Sequence, residues 1–78
     1  MTRNNYFYIE QICNYLNLLA NDTIFTIEGK PFMSIESYFE VTITCKNSAY
    51  CNELNLLTIL LDNMIAMGDD RATSVVIR

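Results

Sequence analysis

The 78-residue chain has no histidine and no tryptophan, only two glycines and a single proline. The side chain that most often does general acid–base work near neutral pH, and the commonest metal ligand, is therefore missing. Ser-His-Asp and Cys-His catalysis, His-containing zinc sites and histidine pH switches are excluded within one chain. With Gly29 read as a turn and Gly68 as a helix stop, no glycine is left for a phosphate-cradling loop. No apolar run approaches the roughly 18 residues of a membrane span. The apolar N-terminal stretch is interrupted by Glu10, Asn14 and Asn17 and has no small-residue cleavage site after it, which is unlike a secretory signal. A cytoplasmic location is expected, and the Asn21-Asp22-Thr23 sequon is then a chance occurrence.

Basic residues are also scarce. Five (Arg3, Lys30, Lys46, Arg71 and Arg78) stand against nine acids, for a net charge of −4. Nucleic-acid binding needs a concentrated cationic surface, and these bases form no run. An acidic chain is drawn instead to basic surfaces, including those of nucleic-acid-binding proteins. The three cysteines, Cys13, Cys45 and Cys51, sit at no zinc-like spacing. They are expected to be reduced, small, buried hydrophobes.

What is abundant is apolar side chain, 51% of the residues. That is enough for a folded core, although a chain of this size buries only about 60% of its unfolded surface. One compact domain spanning residues 1–78 is expected, with room for self-association. A first helix is predicted from about Asn5 to Ala20, capped by Asn4 or Asn5. At 100° per residue, Ile9, Ile12, Cys13, Leu16, Leu19 and Ala20 share one face, flanked by Tyr6 and Tyr8. Asn21-Asp22 ends it. Thr23 to Glu28 reads as a strand, Gly29-Lys30 as a two-residue hairpin loop, and Phe32 to Ile35 as a short returning strand. From Ser37 to Lys46, Phe39, Val41, Ile43 and Cys45 alternate with Tyr38, Glu40, Thr42 and Thr44, giving one apolar and one wet face. A second helix begins between Asn47 and Asn52 and ends at Gly68, with an apolar arc including Tyr50, Leu54, Leu56, Leu57, Leu60, Leu61, Met64, Ile65 and Met67. Thr73 to Ile77 is the last strand. A strand–helix–strand unit makes this strand parallel to Ser37–Lys46. The fold class is α+β: a two-layer sandwich, order α-β-β(-β)-α-β, with two helices on one face of a three- or four-stranded mixed sheet.

Chemistry is sparse. Cys51 near a helix start would need Glu53 or water as its base, and a packed cysteine is the simpler reading. Glu36 and Glu40 lie about 13 Å apart along a strand, too far for a retaining pair of catalytic carboxylates. Asp62, Asp69 and Asp70 lack the ligand spacing of an EF-hand. No enzyme, cofactor or metal is expected.

Two anomalies point to a surface. Asp69-Asp70, with Asp62 two turns back, places an acidic edge at a helix C-terminus, where the dipole disfavours carboxylates by roughly 0.3–1 kcal/mol. Phe7, Leu18 and Ile59 project from the polar sides of the two helices. These residues, with Glu36 and Glu40, are the candidate contacts for a partner. The function expected is that of a small acidic binding protein blocking a basic, nucleic-acid-binding surface of a larger protein. In type, though through no motif, such a chain resembles phage-encoded inhibitors such as anti-CRISPR proteins: tiny, acidic and single-domain. That likeness implies the host cytoplasm as its location. The alternative is a structural or adaptor subunit that homodimerises through an apolar helix surface.

The alternation in Ser37–Lys46 carries a stability test. Val41→Ala or Ile43→Ala should cost about 2–5 kcal/mol and Thr42→Ala almost nothing, as read by urea unfolding.

Overall fold

In a computed structural model, which describes residues 1–32, 35–67 and 73–78, five elements follow one another. They are α1 (Arg3–Ala20), β1 (Phe25–Phe32), β2 (Ile35–Cys45), α2 (Cys51–Ala66) and β3 (Thr73–Ile77). The strands form one sheet in the order β1-β2-β3, with β1 antiparallel and β3 parallel to β2. This is the expected α+β arrangement, with three strands.

Helix α1 starts earlier than its sequence suggests. Thr2, not Asn4 or Asn5, is the cap: its hydroxyl accepts from the Asn5 N–H at 3.3 Å. The reason is tertiary. The Met1 α-amino group donates to the Phe39 carbonyl at 2.8 Å, and the Phe39 N–H donates to the Met1 carbonyl at 2.7 Å. Met1 is thus stitched to β2, and its side chain is fully buried. At the other end Asn21 adopts the left-handed conformation, φ 52°, and its N–H reaches the carbonyls of Asn17 and Leu18. Asn tolerates that region better than most residues, so the expected break at Asn21-Asp22 occurs by helix capping.

The hairpin is longer than expected. Gly29 and Lys30 are not a turn; they lie within β1 opposite Val41 and Glu40. Phe32 ends β1 opposite Ile35, which begins β2, so the ends of the expected Phe32–Ile35 strand belong to two different strands. Pro31 is accommodated because β1 is an edge strand, and the register shifts beside it, between Pro31 and Phe32. Gly29 has a packing role. A Cβ built there would lie 2.5 Å from the Tyr6 ring, and that ring also meets Phe39 edge-on at 5.1 Å.

The cross-strand register assigns the two faces of the sheet. Phe25, Ile27 and Gly29 oppose Cys45, Ile43 and Val41, and in β3 Val75 and Ile77 align with Ile43 and Cys45. This face carries the core: Val41, Ile43 and Cys45 are fully buried, packed with Ile9, Cys13 and Leu16 of α1 and Leu57, Leu61 and Met64 of α2. Phe39 is only half-buried. The opposite face bears Thr26, Glu28 and Lys30 against Thr44, Thr42 and Glu40. It is the wet face that the alternation predicts. Gly68, the expected stop of the second helix, lies outside the described residues; α2 ends at Ala66.

Gly29→Ala should destabilise the protein by about 1–3 kcal/mol, because the added methyl meets a ring already held by Phe39. Pairing it with Tyr6→Ala should recover part of that loss in a double-mutant cycle of thermal melts. Additive costs would show that the ring and the glycine are not coupled.

Candidate functional site

Three features of the structure gather side chains that a ligand or partner could meet. The first is polar and already committed to holding the fold. The Asn17 side-chain oxygen accepts from the N–H groups of Ile24 and Phe25 at 2.8 and 2.9 Å, while its amide donates to the Phe25 carbonyl at 3.0 Å. Next to it, the Asp22 carboxylate accepts from Lys46 Nζ at 2.8 and 2.9 Å and from the Tyr50 hydroxyl at 3.1 Å. The Lys46 hydrogen bond, then that of Tyr50, holds the Asp22 carboxyl below its ordinary range; Asp22 in turn pushes Lys46 and Tyr50 up. The cavity of about 660 Å³ here is lined by Asn14, Asn17, Leu18, Asn21, Asp22 and Thr23. Its best polar groups are spent on joining α1, β1, β2 and the start of α2.

The thiols make a second set. Cys13 is buried and its thiol is pushed up to about 11, first by desolvation and then by Glu10. Buried Cys45 donates weakly to the Asn47 carbonyl at 3.4 Å. Cys51 departs from the expectation of burial: it is exposed, at the first position of α2. Glu53 stands two residues further along the helix, about 200° around its axis, so it is not placed to take the Cys51 proton.

The third feature is a groove between the helices. The start of α1 lies beside the end of α2, and a cavity of about 680 Å³ there is lined by Thr2, Asn5, Tyr8, Leu60, Asn63, Met64 and Met67. None of these is an acid or a base. By helical periodicity Tyr15 and Leu19 continue the Tyr8 flank of α1, and Leu56 the Met67 flank of α2. Tyr8, Tyr15, Leu19, Leu56 and Met67 are all exposed, Tyr15 62%, Leu19 67% and Met67 86%.

Sequence periodicity had placed Leu19, Leu56 and Met67 in the core. They are exposed because each helix needs only three or four residues per two turns to cover this small sheet, and its apolar arc is wider than that. The surplus arc is the available signal for this surface. Of the residues singled out in the sequence, Ile59 is exposed on α2 about 80° around the axis from Met67, on the side away from the core. Phe7 and Leu18 are exposed roughly 90° around α1 from the Tyr8–Leu19 flank. Phe7 carries the Arg3 guanidinium 5.6 Å above its ring. Asp62 is exposed on α2, one turn from Ile59; Glu40 is exposed on the opposite, outer face of the sheet, across from Lys30. Asp69 and Asp70 lie outside the described residues, as does the side chain of Glu36.

No known protein family, curated protein or solved structure matches this chain. Among the described residues no helix is long and apolar enough to cross a membrane, and no group of three potential metal ligands is brought together.

The burial of the thiols sets an order of reactivity. In the native protein at neutral pH one thiol, Cys51, should react promptly with a thiol reagent. Cys13 and Cys45 should react only on unfolding, and Cys51→Ser should abolish the fast phase.

Proposed function

We propose that this chain is a small, acidic, non-catalytic binding protein that occupies a surface of a larger protein whose centre is apolar and whose rim is basic. The observation carrying this reading is the groove between α1 and α2, lined without a charged side chain, where exposed Tyr8 and Met67 meet and from which exposed Tyr15, Leu19 and Leu56 extend along the helix flanks. Rigid aromatic and aliphatic side chains at the middle of such a patch supply most of the affinity. Charge acts differently: a net −4 steers the chain toward cationic partners and sets the on-rate more than the affinity. Asp62, exposed on α2 outside the groove, is the carboxylate on which this steering is tested. The expected acidic edge of Asp69 and Asp70 extends this same reading, with the partner a basic surface that otherwise holds nucleic acid.

The alternative, a subunit that homodimerises, draws on the same groove, since a surface without charge can meet its own copy without like-charge repulsion. The two readings separate in one experiment. The partner is captured from lysate and purified, and its association is followed with wild type, Tyr15→Ala/Leu56→Ser and Asp62→Asn. Loss of at least about tenfold in affinity for the first variant, and a slower, less salt-dependent on-rate for the second, are expected. Wild-type affinity of Tyr15→Ala/Leu56→Ser overturns the proposal. Light scattering showing a dimer that Tyr15→Ala/Leu56→Ser dissolves, with no partner captured, favours the subunit.

A further inference from the structure

The two edges of the sheet are built differently. The β1 edge carries Lys30 and Pro31 and a register shift beside Phe32, the devices that prevent edge-to-edge pairing. The β3 edge has none of them: Thr73–Ile77 contains no charge, no proline and no irregularity in its ladder with β2. Its apolar residues are also poorly covered, with Val75, Val76 and Ile77 each 41–51% exposed.

The backbone directions are fixed by the ladder. The Arg78 N–H donates to the Cys45 carbonyl at 3.0 Å. In a strand alternate residues turn their N–H and C=O to the same side, so Val76 faces β2 while Val75 and Ile77 turn theirs to the open side. We propose that this edge pairs with the same edge of a second copy, antiparallel about a two-fold axis at Val76, making one continuous six-stranded sheet. In that register Val75 of one copy and Ile77 of the other exchange both backbone hydrogen bonds, and symmetry repeats the exchange. Val75 then packs on the second copy's Ile77 on the helix side of the sheet, and the two Val76 side chains meet on the outer side.

The occupant is a second copy because the strip is self-complementary in all three respects. Each outward donor finds an outward acceptor, each exposed apolar side chain finds another, and two chains of net charge −4 meet along a segment without charge. The pairing is short, so the dimer is in exchange with monomer, and it leaves the helix groove of each copy free. A bound partner would then be engaged at two sites.

Cross-linking tests the register. Val76 opposes itself at a non-hydrogen-bonded position, where Cα atoms lie about 4.5 Å apart and a disulfide fits. In a Cys51→Ser background, which removes the exposed native thiol, Val76→Cys should oxidise to a linked dimer at least about tenfold faster than Ser74→Cys, whose symmetry mate lies four residues out of register. Sedimentation of the wild type should show mass rising with concentration. Val75→Pro should remain monomeric with an unchanged circular dichroism spectrum, because the N–H it removes is not one that β2 uses. If Val75→Pro does not fold, the comparison of the two cysteine variants decides alone. Equal cross-linking rates, or a wild type that stays monomeric at every concentration, overturns the proposal. So does a dimer dissolved by Tyr15→Ala/Leu56→Ser, which would place the contact on the helix layer.

Discussion

Strand β2 is the member on which everything else in this protein is built. It is the middle of three strands, bonded on one side to β1 and on the other to β3, with Met1 stitched alongside its first half. Its inward residues Val41, Ile43 and Cys45 are completely withdrawn from water, and both helices pack on them. A domain of this size has little stability to spare, because conformational entropy cancels most of what burial contributes. With so little to spare each buried methyl on β2 counts, and the remaining elements are fixed by where they touch it.

The polar clamps serve that geometry. Asn17 makes three hydrogen bonds to Ile24 and Phe25 at the start of β1, accepting from two backbone N–H groups and donating to one carbonyl. Asp22, Lys46 and Tyr50 tie the entry of β1, the exit of β2 and the approach to α2 into one exposed network. Being exposed and screened, such contacts fix direction more than they add stability. The start of α1 lies beside the end of α2, which brings Tyr8 of one to Met67 of the other. The apolar groove is a consequence of this alignment, with two helices each apolar over a wider arc than the sheet can cover.

A binding surface of the proposed kind would call on no catalytic group. It also divides labour between faces. The outer face of the sheet carries Thr26, Glu28, Lys30, Glu40, Thr42 and Thr44, a hydrated surface. The helix layer offers apolar contact, and the β3 edge offers backbone hydrogen bonds. The proposed binding and the proposed self-pairing therefore call on separate groups.

The order of elements, the parallel last strand and the burial of Val41, Ile43 and Cys45 were legible in the residues themselves. Each follows from a local period, or from the rule that a strand–helix–strand unit crosses over. The same reasoning misplaced Gly29-Lys30, because glycine followed by lysine and proline is written alike in a turn and in an edge strand; only the Tyr6 ring lying over Gly29 distinguishes them. It placed the α1 cap too late, since the Met1–Phe39 bonds that fix Thr2 join residues 38 positions apart. It likewise read Leu19, Leu56 and Met67 as core, because periodicity reports which residues share a face and not how much of that face a neighbour covers. Local sequence thus determined which segments are helix and strand and which side of β2 is dry. Tertiary packing decided which of the apolar residues remain in water, because exposure depends on the distance between elements that are far apart in the chain.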